Sequence, residues 1–507
     1  MSSTQHHSVA VVGGGPVGML LATELGLHGI DTVVLETGTA TADQPKAGTL
    51  HARTVQSLAR RGHLPVRRGG PLDRLTADAF HFAGLPGLTI TAPAVEGAPI
   101  AGRSQADLER AFERRARELG VTVRRGHTVV ALSQTRERVE ITAERTDGAH
   151  VTLTADYTVG ADGARSAVRR LAGIGSDEHP PTVAALLGQV RLLDPAGTPR
   201  GWHLTPRGWT VINVNPFGYS RVITFDFSGP HTDRHAPLRL EELSRTASRI
   251  AGHDIPMTDA VFLSRFSDYA RLARSYRDRR VFLAGDAAHV HFPVGGQGLN
   301  LGLQDAFNLG WKLAAAVRGH AGPGLLDSYH EERHPAGRRV IDNTRAQLAL
   351  MRPGEQTEPL RALFRELLGL DQVNAYLGDM ISAQETVYGE VSGTSWEGRF
   401  LPNLPLTREG RETCVAELLR PGRPVLLLFD GADVGWGEVA AEWAHAVDAV
   451  RAGSPAPLPW DALLLRPDGY VAWSATGPAA GEDRLRSALR DWFGDPRRAG
   501  ERMPSAV

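Results

Sequence analysis

Ser8-Val9-Ala10-Val11-Val12-Gly13-Gly14-Gly15-Pro16-Val17-Gly18 is the stretch whose reading sets the fold class. Val9 to Val12 form an unbroken apolar run, the pattern of a strand buried on both faces. Gly13, Gly15 and Gly18 then satisfy G-x-G-x-x-G. Gly13 permits the tight turn, Gly15 lets the backbone approach a pyrophosphate, and Gly18 lets the next helix pack closely on the strand. Pro16 and Val17 open a helical pattern that runs to Leu27, with Leu20, Leu21 and Leu25 on one side. The first turn of that helix offers N–H groups and partial positive charge to an anion. Thr32 to Leu35 reads as the next strand, and Glu36 ends it. A carboxylate there accepts hydrogen bonds from ribose hydroxyls and repels a 2′-phosphate. The unit is β-α-β, and its ligand is expected to be a dinucleotide.

Two further glycine-aspartate segments stand downstream. Phe282-Leu283-Ala284-Gly285-Asp286-Ala287-Ala288-His289 ends a buried strand; Pro293, Gly295, Gly296, Gly298, Leu299 and Asn300 follow, and a long helix is expected from Leu299 to Val317. Asp286 is placed to accept a hydrogen bond from a hydroxyl, the glycines let the chain pass close to a flat ring, and the helix dipole favours negative charge on it. In mid-chain, Gly160-Ala161-Asp162-Gly163-Ala164-Arg165-Ser166-Ala167-Val168-Arg169 fits D-G-x-x-S-x-V-R. Either Asp162 and Arg169 pair and brace the site, or Asp162 forms an Asx turn that caps a helix.

Outward from these motifs the chain divides into pieces. Its 507 residues exceed one ordinary core, so several domains are expected. An amphipathic helix from Arg103 to Leu119 carries Leu108, Phe112, Ala116 and Leu119 as its stripe, and short strands follow to Val159. Beyond Asp177 the pattern turns to alternating, aromatic-rich stretches with no long helix, including Thr210–Val214 and Arg221–Phe227. This is antiparallel sheet inserted into the nucleotide-binding half. Beyond Gly398, a strand over Pro424–Phe429, a strand-turn-strand over Asp461–Trp473 and a final helix with Leu485, Leu489 and Trp492 form a small α/β module.

Composition narrows the function. There are 56 basic and 57 acidic side chains, so no basic excess exists to neutralise phosphates, and nucleic acid is not an expected partner. The single cysteine, Cys414, supplies neither an intrachain disulfide nor a CxxC pair. The polar start, Met1 to Ser8, and the short apolar run ending at Gly13 give no membrane span, so a cytoplasmic protein is expected. His289 and His291 lie two apart but lack a third ligand cluster, and no metal is expected. No Ser/His/Asp triad is apparent, so no side chain is assigned a catalytic role.

In combination, the motifs resemble the class A flavoprotein monooxygenases, the aromatic hydroxylases, and most nearly the actinobacterial polyketide hydroxylases and rifampicin monooxygenases. The resemblance is carried by Gly13 to Gly18 with Glu36, Leu50 to Thr54, Gln105 with Leu108-Glu109, Asp162 to Arg169, Gly285 to His289, Gly295 to Asn300, Ser328 to His330 and Glu332 to Pro335. It implies an α/β fold: a Rossmann-like (GR2-type) FAD-binding domain, an inserted antiparallel β-sheet substrate domain and a C-terminal thioredoxin-like domain. The expected boundaries are 1–178 and 277–395 for the two parts of the FAD-binding domain, the second with additional helices. The β-rich substrate domain is expected at 179–276, with a contribution from about 75–100, and the thioredoxin-like domain at 396–507.

The resemblance also implies non-covalent FAD, with Gly13, Gly15, Pro16, Val17, Gly18 and Glu36 on the ADP part. Gln105 and Asp286 take the ribityl-pyrophosphate region, and Leu299 and Asn300 contact the flavin ring through the backbone, with Pro293 and Gly298 beside it. Lys46 stands where the family usually has arginine, which keeps a cation but loses the bidentate fork. Family chemistry uses NADPH or NADH as a transient reductant and a flavin C4a-hydroperoxide that passes an OH to an electron-rich ring. Substrate contacts are expected among Trp202, Trp209, Phe217, Phe225, Phe292 and Pro293, each of which also suits plain sheet core. The expected partners are a small aromatic molecule and O₂, and the expected assembly is a monomer or homodimer. Baeyer–Villiger oxygenation, and a non-catalytic protein that sequesters a flavin or ligand, are the alternative readings.

Overall fold

The structure is a computed structural model that describes residues 5–41, 47–67, 74–389, 395–431, 435–477 and 481–496. The opening motif folds as read: β1 (Gln5–Val12), α1 (Pro16–Leu27) and β2 (Thr32–Glu36). β1 lies at the centre of a sheet ordered Arg277–Asp278, Val281–Leu283, His150–Gly160, β1, β2, Thr122–Arg125. Its neighbours His150–Gly160 and β2 run parallel to it, as do Val281–Leu283 and Thr122–Arg125 further out. Val9, Ala10 and Val11 are fully buried, which is why this strand shows no alternation. α1 packs between the helices Gln105–Glu118 and Gln297–Val317.

The inserted region is a five-stranded antiparallel sheet, ordered Gly201–Thr205, Gly208–Asn213, Ser220–Asp226, Ala184–Leu192, Met257–Ser267. One face carries Ala185, Trp209, Val211 and Phe225 against the hairpin Leu75–Phe82/Leu85–Pro93. The other carries Leu186, Val190, Ile212 and Val222 against a helix, Leu240–Ala251. The expectation of no long helix here is corrected. Leu243, Ala247 and Ile250 recur at helical spacing and are buried, Glu241 and Glu242 sit in the first turn, and Gly252 caps the end at φ +81°. The aromatic alternation on either side masked those signals.

The C-terminal sheet is ordered Asp448–Ala452, Val425–Phe429, Ala462–Leu465, Val471–Ala475, with its first pair parallel and the rest antiparallel. Leu426 and Leu428 face the closing helix Glu482–Phe493 and Trp311 of the long helix, while Leu427 and Phe429 face Leu401 and Trp460. Both faces are thus covered, one of them by the nucleotide-binding half itself. Among the described residues no helix is long and apolar enough to cross a membrane.

Candidate active site

Strand register brings the three motifs together. Val12 pairs with Leu35 on one side and Gly160 on the other, and Gly160 pairs with Leu283. Four strand ends are therefore level. The residues that follow them, Gly13, Glu36, Ala161-Asp162 and Ala284-Gly285-Asp286, emerge along one edge, the carboxyl edge where open α/β sheets bind ligands.

The glycines at this edge divide into two kinds. Gly13 sits at φ +110°, and a Cβ there would stand 2.3 Å from the Ala161 carbonyl oxygen; one on Gly18 would stand 2.0 Å from the Gly13 oxygen. Both serve internal packing. A Cβ on Gly15, the N-cap of α1, would meet nothing within 4 Å. Gly15 therefore faces open space at a helix N-terminus, which fits a pyrophosphate. Pro16 and Gly18 are buried and Val17 half-buried. Glu36 is held in place, its two oxygens accepting the N–H groups of Gly14 (2.5 Å) and Gly38 (2.6 Å), with lone pairs left for a further donor. Gln105 is the first residue of its helix, half-buried, and its N–H donates to the Ala47 carbonyl at 3.0 Å. Lys46 lies outside the described residues. The donors and open glycine fit the nucleotide part of FAD.

Asp286 is exposed at the head of its loop, and the loop is tied down behind it. The buried Asp305 accepts the Gly285 N–H (3.0 Å) and His289 Nε2–H (2.7 Å) on one oxygen and Arg333 Nε–H (2.8 Å) on the other. Burial opposes its ionisation, but His289 and Arg333 together hold the carboxyl below the usual carboxylate range. Arg333 also donates to Leu301 O and the Tyr388 hydroxyl, Tyr329 donates to Leu283 O, and Arg271 donates to Asp286 O. A Cβ on Gly302 would lie 2.7 Å from Val17 Cγ2 and 3.1 Å from Gly285 Cα, so the first and second motifs are in contact through Val17. The sequence motifs contain Gly285, His289, Tyr329 and Arg333 but do not show the network that joins them. The signal that could have found it is a carboxylate, Asp305, inside the apolar run of a long helix.

Gly295 and Gly296 adopt φ +75° and +64°, and Gly296 caps the helix Gln297–Val317. Asn300 locks this loop: its Oδ1 accepts the His51 N–H (2.8 Å), and its Nδ2 donates to Gly296 O (2.8 Å) and Thr49 O (3.0 Å). Its side chain is used internally, which leaves the backbone to meet a ligand. Gly298 and Leu299 are half-buried and Pro293 is exposed. His51 Nε2 donates to Gly295 O at 2.8 Å, and burial pushes its pKa down to about 4 in spite of that bond. His291 is pushed to about 4 by the same cause. Both are neutral imidazoles at neutral pH.

Asp162 and Arg169 do not pair. Asp162 Oδ2 accepts the N–H groups of Ala167 (2.6 Å) and Val168 (3.1 Å), and Arg169 turns to Ile174 O and Ser176 Oγ. Asp162 thus caps the helix together with Ser166, through the fifth and sixth residues on and not as an Asx turn, because a carboxylate five residues before a helix start reaches the orphan N–H groups more directly than it reaches a side chain two turns on. Asp162 still lies at the carboxyl edge, since its backbone nitrogen would be 2.8 Å from a Cβ on Gly13.

Of the aromatic candidates, Trp209, Phe225 and Phe292 are buried, and Trp202 is half-buried. Trp209 donates its indole N–H to Met351 O at 2.7 Å, so it ties the sheet to the helix Ser328–Met351. Phe217 is corrected: it is 94% exposed, in an Asx turn between two strands, where its N–H donates to Asn215 Oδ1. Its aromatic character carried no information about burial. Among the described residues no group of three or more His, Cys, Asp or Glu has the arrangement to hold a metal ion.

A second buried network joins this half to the C-terminal domain. Glu332 accepts from Lys312 (2.7 Å), Asn308 (2.6 Å) and both terminal nitrogens of Arg466 (2.6 and 2.8 Å), and Arg466 also pairs with Asp468 (2.6 Å). Burial raises the Glu332 carboxyl, but Arg466 and Lys312 outweigh it and push it down to about 2. Burial pushes Lys312 down to about 8, because its one carboxylate partner is shared with Arg466.

Residues 6–344 match the FAD binding domain family, and residues 394–496 match the aromatic-ring hydroxylase C-terminal domain. The chain is 38% identical, over 97% of its length and 99% of the other, to the 12-dehydrotetracycline 5-monooxygenase/anhydrotetracycline 6-monooxygenase of Streptomyces rimosus. It is 40% identical, over 96% and 99%, to the dialkyldecalin synthase of Streptomyces rugosporus. Its fold superimposes on CabE, an aromatic hydroxylase from angucycline biosynthesis, with a TM-score of 0.87 at 38% identity, covering 97% of this chain and 100% of that one.

Proposed function

We propose a substrate class and a reductant for this chain, which belongs to the FAD-dependent aromatic-ring monooxygenases. The substrate is a fused-ring aromatic polyketide, and the reductant is NADPH or NADH arriving from solvent. The observation that carries this reading is the level edge of four strand ends, whose following loop packs Phe292 into an aromatic layer on the inserted sheet. Bound FAD, reduced by the nicotinamide, supplies activated oxygen for transfer to the ring.

The residues of this chain do the remaining work. Glu36 receives ribose hydroxyls and the first turn of α1 offsets pyrophosphate charge. Asp286 accepts from the ribityl chain on a loop that Asp305 holds in place. The N-terminus of the helix Gln297–Val317 favours negative charge on the ring. Phe225, Phe292 and Trp202 exclude water and orient a flat substrate. The related monooxygenase is named for tetracycline-type rings and CabE for angucycline biosynthesis, which supports a substrate of several fused rings.

The test is NADPH oxidation by FAD-loaded protein with anhydrotetracycline, an angucycline-type quinone and a one-ring phenol, followed by product mass. Ligand-stimulated oxidation and a product heavier by one oxygen atom are expected with a fused-ring compound. Oxygen insertion between carbon and a ketone carbonyl, read from the product structure, replaces hydroxylation with the Baeyer–Villiger outcome. A second reading comes from the relative named a synthase: a product isomeric with its substrate, formed without NADPH consumption, would assign the pocket to ring formation.

A further inference from the structure

A chain of side-chain contacts leaves the flavin loop and returns to it. His51 holds Gly295 O and lies edge-on to Phe80, with centroids 5.3 Å apart. Phe80 stacks on His81 (4.7 Å, 16°), and His81 meets Trp202 at 4.5 Å. Trp202 stacks on Phe225 at 6.0 Å, and Phe225 meets Phe292 at 5.3 Å, next to Pro293 in the same loop. The ring of contacts is aromatic except for its imidazoles, and His51 is spent on Gly295.

His81 is different because of the backbone beneath it. Along Leu75–Phe82 the burial alternates, Thr76, Asp78 and Phe80 inward and Leu75, Ala77 and Ala79 outward. Regular pleating would send His81 outward too. At this point the hairpin register shifts: Phe80 pairs with Leu88 but His81 with Pro86, so Gly87, at φ +106°, is the extra residue on the facing strand. Such a bulge bends and twists the ladder and re-aims side chains. His81 consequently stacks on Phe80 instead of standing on the opposite face.

The next turn fixes its proton. The Gly84 N–H donates to His81 Nδ1 at 3.3 Å, so Nδ1 is the acceptor and Nε2 carries the hydrogen. Nε2 makes no hydrogen bond to any described residue, yet it is not among the buried atoms that lack a partner, so it reaches accessible space. Burial pushes the ring down to about 4, with His51 adding to the effect, so it stays neutral and keeps this one tautomer at neutral pH.

We propose that His81 is the specificity-determining polar group of the pocket: its Nε2–H donates to a phenol or quinone oxygen of a fused-ring substrate lying among Phe80, Trp202 and Phe225, and so selects which ring carbon faces the flavin loop. The proposal rests on the monooxygenase reading of that pocket. The experiment uses FAD-loaded full-length protein and the panel compound that most stimulates NADPH oxidation by the wild type, together with its analogue lacking the phenol or quinone oxygen. His81→Phe, which keeps the stack and loses the donor, is expected to raise KM about tenfold, the factor of one hydrogen bond. It is also expected to divert NADPH oxidation towards hydrogen peroxide, with FAD affinity unchanged. His81→Gln, which restores a donor, is expected to recover KM to within about threefold. The wild type is expected to prefer the oxygenated compound, and His81→Phe to lose that preference. Wild-type KM, coupling and product pattern in His81→Phe overturn the proposal while leaving the monooxygenase reading standing. So does a wild type indifferent to the oxygen, an outcome that needs no variant to fold. Absence of stimulation by any panel compound overturns the substrate reading and this proposal with it.

Discussion

Glu332 and Arg333 are neighbours in the chain but serve different parts of the molecule. Arg333 turns to Asp305, whose other oxygen ends on a backbone N–H of the cofactor loop. Glu332 turns to Lys312 and Arg466, and its network ends in the C-terminal domain. Arg333 is fully buried and the Glu332 side chain is 7% exposed, and both hold charges at a cost of desolvation that only good pairing offsets. The difference lies in what the last bond grips. One network fixes a loop that must meet a ligand; the other fixes one domain against another. Buried charge of the same chemistry thus positions in one place and joins in the other.

Removing either anion separates the two networks most strongly. Asp305→Ala and Glu332→Ala each strand buried cations and are expected to cost about 3–5 kcal/mol of stability in urea titrations. In the protein that remains folded, FAD fluorescence titration is expected to show affinity more than about tenfold weaker for Asp305→Ala, from loss of a charge-assisted bond to the loop. It is expected to be nearly unchanged for Glu332→Ala. Equal losses of FAD affinity would erase the distinction between positioning and joining.

Acid acts on the two networks in different pH windows. The folded pKa of His51 and His291, about 4, lies below the unfolded 6.5. The unfolded state therefore binds more protons in that window. Stability is intact above 6.5 and falls by up to about 1.4 kcal/mol per pH unit for each histidine as pH drops towards 4. Glu332 is depressed from 4.5 to about 2, so its contribution, roughly 3 kcal/mol, is present above 4.5 and is lost as pH falls through 2. The contribution of these two histidines is expected to go first and that of Glu332 later. Urea melts from pH 7 to 3 check this, with His51→Gln flattening the upper window and Glu332→Gln the lower.

A smaller effect is expected at the nucleotide end. Glu36→Arg loses a carboxylate acceptor worth about 1.5–3 kcal/mol, so FAD binding is expected to weaken ten- to a hundredfold in fluorescence titration. An unchanged dissociation constant would remove Glu36 from the site. Smallest is Trp209→Phe, which leaves Met351 O without its donor. About 1 kcal/mol of stability is expected to go, read by urea melts, with KM for the panel substrate unchanged. A raised KM would place Trp209 in the pocket wall instead of the core.

The nucleotide-binding half was legible because its chemistry is local in sequence. Glycines 13, 15 and 18 sit at fixed offsets from a strand end, and Glu36 ends the next strand. What was not legible depends on partners far apart. Asp305 meets Gly285 and Arg333 only after two helices fold back, and Asn300 spends its side chain on Thr49 and His51, about 250 positions away. The helix Leu240–Ala251 was missed although its signals were local, because strand-like alternation surrounded them. Phe217 shows the opposite error, an aromatic read as inward when only its turn decided where it pointed.

The level edge also dictates a timetable. Gly13 touches Ala161, and Val17 touches Gly285 and Gly302, so one cradle is built from the first, middle and later parts of the chain. On a ribosome, β1 and the strand His150–Gly160 emerge long before Val281–Leu283 and the helix that Asp305 rides on. With roughly ten seconds of synthesis separating them at ordinary rates, a nascent chain ending before Val281 carries the nucleotide fingerprint but none of the loop from Gly285 to Asn300. Contacts of such long sequence separation form late. Uptake of FAD would therefore mark the end of folding rather than assist its beginning, and yellow colour in a purified sample would report that the last part of the nucleotide-binding half has closed on the first.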